Sequence, residues 1–173
     1  LLGRSVKRLG SLADQIIVVR APGQELPPFR VAEEVKIVTD IYPGKGPLVG
    51  IYSGLMACEG ETGFVVACDM PFVNQSLARY LISLSHDQDV VIPEYNGFLE
   101  PLHAVYSTRC VELIGSLIES GEYRINRLLD SVKVRYVQEK ELDEFDSEKL
   151  SFFNINKTED LEKAREIASR GND

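Results

Sequence analysis

The chain has 173 residues, 44% of them hydrophobic and 27% charged, with 19 Lys and Arg against 27 Asp and Glu for a formal net charge of −8. A folded domain of this length buries its own core without a disulfide framework or a structural metal, and the composition excludes a disordered chain. The acidic balance argues against a nucleic-acid backbone as partner, and no apolar run reaches the roughly 18 residues of a membrane span. The three cysteines, Cys58, Cys68 and Cys110, form no C-x-x-C pair and read as reduced thiols of a cytoplasmic protein.

After a short helical pattern, residues 15–19 predict a first strand, followed by a surface loop over 21–28 with three prolines and a glycine. A second strand is expected over 36–39. Pro47 then stands at a helix start, with Leu48, Ile51, Tyr52 and Leu55 repeating at helical spacing. Residues 63–68 are apolar throughout, as in a central strand covered on both faces. Asn74 is placed to cap a helix that carries Leu77, Tyr80, Leu81 and Leu84 on one stripe. Strands over 90–93 and 101–106 follow. Ser107 then opens a helix with Val111, Ile114, Leu117 and Ile118 inward and Gly121 closing it. Further strands are expected over 132–137 and 151–154, and a last helix over 158–169 turns Leu161, Ala164 and Ala168 to the core. This alternation predicts one α/β domain over residues 1–173, three-layered, with a mostly parallel central sheet and helices on both faces.

Ligands of open α/β sheets bind outside the carboxyl ends of the strands. One such end is Val38-Thr39-Asp40, which runs through a loop rich in glycine to Gly46-Pro47-Leu48-Val49-Gly50. Glycines let backbone approach a ligand, and a helix N-terminus attracts anions or base carbonyls. The same pattern also serves as a plain strand-to-helix connection. The other end is Asp69, after Val65-Val66-Ala67-Cys68. A carboxylate there suits Mg²⁺, which keeps most of its waters and takes one or two carboxylates; the competing role is a turn aspartate bonding nearby N–H groups.

Taken together, Asp40 with Gly46–Gly50, Ala67-Cys68-Asp69-Met70-Pro71-Phe72, Glu100-Pro101-Leu102-His103-Ala104-Val105-Tyr106, and Phe153-Asn154-Ile155-Asn156 before Glu159-Asp160-Leu161 resemble the molybdenum cofactor guanylyltransferases. The resemblance extends from about residue 15 to 169. It implies a Rossmann-like nucleotidyltransferase that joins GMP from GTP to molybdopterin with Mg²⁺ and releases pyrophosphate. By the same resemblance, Asp40 contacts the guanine nucleotide, and Gly46, Pro47, Leu48 and Gly50 line the base pocket. Asp69 is the catalytic residue that binds Mg²⁺ and nucleotide phosphates, and Asn154 and Asn156 face the metal or the pterin. Contact with cofactor-delivery or acceptor proteins is a further implication. The family's glycine-rich basic loop has no clear counterpart, Leu2–Ser5 being the nearest segment. Arg20 stands where relatives can carry Asn, and Lys157-Thr158 replaces their Thr-Pro. Alternatives are CMP transfer to the molybdenum cofactor, GMP transfer to a cobinamide phosphate, and a non-catalytic nucleotide-binding module.

Other residues have plainer readings. His103, mid-strand, is expected as a satisfied structural histidine or a substrate contact, and His86 as a partner of a helix C-terminus. Cys68 is expected to pack in its strand, since hard Mg²⁺ prefers oxygen. Asn156 and Glu159 fit a capping pair. Tyr123, Arg124 and Arg127 suit a salt-bridged helix start or a grip on an anionic pterin phosphate, and the acidic stretch 139–148 a solvated face.

Overall fold

Seven strands form among the residues that the structure, a computed structural model, describes, 2–26 and 35–170. After helix α1 (Leu2–Leu9), β1 (Ile16–Arg20) pairs in parallel with β2 (Val35–Thr39), Ile16 opposite Val35 and Arg20 opposite Thr39. The expected loop is seen over 21–26; its end at 27–28 lies outside the described residues.

The larger sheet contains β3 (Thr62–Val66), β4 (Val90–Tyr95), β5 (Phe98–Leu99), β6 (His103–Ser107) and β7 (Val134–Val137). β6 runs antiparallel to both β3 and β4, while β7 is parallel to β4. By direction the sheet is therefore mostly parallel, with β3, β4 and β7 aligned and one return arm reversed between them. Asn96 and Gly97 cause the reversal. Both have positive φ, 51° and 76°, and they join Tyr95 to its partner Phe98 as a tight hairpin.

The return arm is broken. Glu94 opposes Leu99 and Val91 opposes Val105, so six steps on the arm span three on β4. The surplus forms a bulge at Glu100-Pro101-Leu102, which begins the sixth strand at His103, two residues later than the apolar run suggests. Residues 63–68 also depart from expectation. β3 stops at Val66, is half-buried along its length, and among the described residues pairs with β6 alone.

Helices cover both faces as the alternation requires. Val90, Ile92, Ala104 and Tyr106 pack on α2 (Pro47–Ala57), α4 (Val111–Glu119) and α5 (Ile125–Leu129). Val91, Val105 and Val137 point the other way, onto α3 (Gln75–Ser83), α6 (Glu139–Asp143) and Phe152. Pro47 is the first residue of α2, after Gly46 at φ 98°. Asn74 caps α3, its side chain accepting from Ser76 N and Leu77 N at 2.8 and 3.1 Å. Ser107 caps a 3₁₀ turn at Thr108–Cys110 that leads into α4, and Gly121 follows that helix with φ 81°.

The expected strand over 151–154 is a 3₁₀ turn, Leu150–Phe152, followed by irregular backbone. Its cause is buried Asp146, whose carboxylate accepts from Leu150 N and Ser151 N and takes the donors a ladder would need. The acidic stretch is thus not wholly solvated: Glu141 also accepts from Tyr80 Oη at 2.7 Å and pairs with Arg135. The chain ends on α7 (Thr158–Arg170), with Ala164 buried. The cap before α7 differs from the expected Asn156–Glu159 pair, since the Asp160 carboxylate accepts from Asn156 N and Lys157 N.

Candidate active site

The two strand-end aspartates sit in different surroundings. Asp40 leaves β2 with its N–H bonded to Arg20 O at 2.7 Å. Its Oδ1 accepts from Tyr42 N at 3.1 Å and from Ser53 Oγ of α2 at 3.4 Å. This Asx turn aims the connection into the helix and consumes one carboxylate oxygen. The loop tip is exposed from Ile41 to Pro47, while Leu48 and Val49 are fully buried and serve the core. Lys45 Nζ lies 5.3 Å from the Tyr123 ring centre, so a cation over an aromatic face flanks the loop. Arg124 and Arg127 are committed to Glu122, as the salt-bridged reading expects.

Asp69 follows β3 and lines a cavity of about 190 Å³ together with Ala67, Met70, Glu100, Pro101, Leu102, Asn154 and Asn156. Backbone bonds hold these walls together. Ala67 N donates to Leu102 O at 3.0 Å, and Ile155 N donates to Asp69 O at 3.0 Å. The latter bond brings both asparagines to the aspartate, 85 residues away in sequence for Asn154. Among the described residues, the side chains of Asp69, Glu100, Asn154 and Asn156 have no hydrogen-bond or ion-pair partner within the protein. Asp69, Glu100 and Asn154 are half-buried and Asn156 is exposed, so all four keep their hydrogen-bonding capacity for a ligand in the cavity. Asp40 and residues 46–50 do not line this cavity.

Glu100 was not among the expected site residues. Its place follows from the bulge in the return arm, which a single sequence reveals only through the Asn96-Gly97 turn and the Pro101 that interrupts pairing. Burial lifts its carboxyl above the ordinary range.

His103, the next ring after the bulge, is fully buried between Phe64 and Phe152, both edge-on with centroids 5.1 Å away. It is structural but not satisfied, because among the described residues neither ring nitrogen has a partner, and burial pulls the imidazole down to about 4. Cys68 is exposed instead of packed in a strand, since β3 ends before it; its thiol is pushed up by burial of part of the group and by Asp69. All three cysteines are free thiols. His86 pairs with neighbouring Asp87 on the surface.

The donor set around Asp69 is hard oxygen: carboxylates and amide carbonyls. Among the described residues no three His, Cys, Asp or Glu gather as a metal cage. Such a set fits an ion that retains water and takes one or two carboxylates, and does not fit zinc.

Residues 1–139 match the MobA-like NTP transferase domain. Over 159 residues the chain is 38% identical to the molybdenum cofactor guanylyltransferase of Desulfosudis oleivorans, covering 91% of this chain and 76% of that protein. It is 35% identical over 170 residues to a probable molybdenum cofactor guanylyltransferase of Methanosarcina mazei, at 94% and 76% coverage. A solved structure, molybdopterin-guanine dinucleotide biosynthesis protein A of Archaeoglobus fulgidus, superposes with TM-score 0.68 at 32% identity, over 78% of this chain and 69% of that one. A cytidylyltransferase of Thermus thermophilus, 15% identical with TM-score 0.71 over 97% of this chain and 88% of its own, shares the fold. These likenesses show that the chain belongs to the molybdenum cofactor guanylyltransferase family, within the MobA-like NTP transferases.

Proposed function

We propose that the chain, acting as a single nucleotidyltransferase domain, transfers GMP from GTP to molybdopterin and releases pyrophosphate, with Mg²⁺ held at Asp69. The observation that carries this reading is the cavity itself, where the side chains of Asp69, Asn154 and Asn156 converge with no partner among the described residues on a fold of this family.

Attack of a substrate phosphate on the α-phosphorus requires in-line placement and charge neutralisation rather than a covalent enzyme intermediate. With a net charge of −8, the protein's overall field opposes a triphosphate, so the neutralisation must be local. Asp69 would hold a Mg²⁺ ion, which when bound would supply it by offsetting charge on the phosphate oxygens. Asp69 is well mounted for that duty, with its carbonyl tied to Ile155 and the preceding Ala67 tied to the return arm. The amides of Asn154 and Asn156 offer both donors and acceptors to phosphate or pterin. Asp40 orients the entry into α2, and its second carboxylate oxygen and the exposed loop over 41–47 are the surface offered to guanine and ribose.

The test is a nucleotide panel of GTP, CTP, ATP and UTP with Mg²⁺, read by thermal shift and by transfer to molybdopterin. Selective stabilisation by GTP with guanylyl transfer is expected. Comparable use of CTP moves the reading to cytidylyl transfer, and nucleotide binding without any transfer to a non-catalytic module.

A further inference from the structure

We propose that Glu100 is the residue that recognises the acceptor's pterin ring, accepting hydrogen bonds from the 2-amino group and the adjacent ring N–H. This inference rests on the guanylyltransferase reading above and assigns one residue of that site a specific partner.

An uninterrupted antiparallel arm would keep alternating residues on the two faces of the sheet. The surplus residues at 100–102 break that alternation and place Glu100, Pro101 and Leu102 together on the cavity wall. Glu100 is fixed by its backbone on both sides. Its N–H donates to Pro93 O at 2.9 Å, and its carbonyl accepts from His103 N at 3.0 Å. Glu100 is half-buried and its side chain has no protein partner among the described residues, so its carboxylate keeps its accepting capacity for a ligand.

The chemistry of that ligand is restricted. A carboxylate only accepts hydrogen bonds, so it repels the phosphates of either substrate. With the metal assigned to Asp69, the complement left for Glu100 is a neutral, planar edge with two adjacent N–H donors, the geometry that a carboxylate binds in bidentate fashion. A pterin has such an edge at its 2-amino group and neighbouring ring N–H. Leu102, Met70 and Pro101 supply apolar wall for the flat ring, and Asn154 and Asn156 supply the mixed donors and acceptors its carbonyl and ring nitrogens need. Guanine carries the same edge, so the test separates the two.

The full chain and its Glu100→Gln, Glu100→Ala and Glu100→Asp variants are compared by fluorescence titration with pterin and with lumazine, which has a carbonyl in place of the 2-amino group. Transfer kinetics are run with molybdopterin against GTP and ITP, the latter lacking guanine's 2-amino group. Wild type should prefer pterin over lumazine by about 10- to 100-fold, the range for a hydrogen-bonded charged group, and Glu100→Gln and Glu100→Ala should lose that preference. The KM for molybdopterin should rise by a similar factor, with the GTP-to-ITP ratio unchanged, unaltered melting temperature, and partial recovery in Glu100→Asp. A pterin preference that survives Glu100→Ala overturns the proposal. So does a collapse of the GTP-to-ITP ratio, which would assign Glu100 to guanine. Absence of guanylyl transfer in wild type would instead defeat the parent reading, while the pterin and lumazine titrations still decide the role of Glu100.

Discussion

The connection after β2 and the cavity after β3 both begin with an aspartate at a strand end, yet the two carboxylates are employed differently. Asp40 already accepts from Tyr42 N and Ser53 Oγ, so it shapes its own loop whether or not nucleotide is bound. Among the described residues the Asp69 side chain has no such internal bonds; its backbone carbonyl is engaged by Ile155 N. A polar group satisfied within the protein contributes to folding, whereas one left open on a cavity keeps its bonding capacity for a ligand. The same contrast separates Glu100 from His103 on the return arm. Neither side chain has a partner among the described residues, but Glu100 lines a cavity, while His103 is sealed between Phe64 and Phe152 and stays neutral.

The contrast breaks first at Asp69. Asp69→Asn keeps the size of the side chain and removes its charge, so guanylyl transfer across a Mg²⁺ titration should fall by about 10²-fold or more. Its melting temperature should match wild type, because no internal bond of that carboxylate is lost. A loss of activity that merely follows a lower melting temperature would mark Asp69 as a turn residue.

Next in size is the response of His103 to acid. Its folded value is about 4 against an ordinary 6.5, so above pH 6.5 both folded and unfolded chains hold it neutral. Between pH 6.5 and 4 the unfolded chain takes up a proton that the folded one refuses, and stability falls with pH. Buried Asp146 partly opposes this by favouring the charged ring. Integrated to pH 4.5 the loss is about 2–3 kcal/mol from this residue. Urea denaturation of wild type and His103→Leu at pH 7 and 4.5 should show the smaller acid loss in the variant. Equal losses would mean that the imidazole finds a partner.

The smallest expected effect is at Asp40. Asp40→Ala should cost about 1 kcal/mol of stability through the lost turn and the Ser53 contact, with GTP affinity weakened about 10-fold. Denaturation and nucleotide titration on one preparation check both parts. Unchanged stability would show that the internal bonds are immaterial, and unchanged GTP affinity and selectivity would remove Asp40 from the nucleotide site.

Sequence alone determined the local features of this protein. Asn74 and Pro47 declare helix starts through side-chain and backbone chemistry confined to one turn, and the apolar stripes of α2 and α4 declare which side is buried. The ordered motifs around Asp40, Asp69 and Asn154 likewise identified the family. Tertiary structure decided what depends on distant partners. Phe152 and Phe153 have the look of a strand, but the Asp146 carboxylate draws the preceding N–H groups into a 3₁₀ turn. His103 was legible as structural, though its missing partners follow from which aromatic rings close around it. Glu100 was visible only as part of a motif, because its position depends on a three-residue excess between paired strands, a property of register and not of composition. Periodicity and caps act over a few residues, whereas register and burial are fixed by which long-range pairs bury the most apolar surface while leaving the fewest polar groups unpaired.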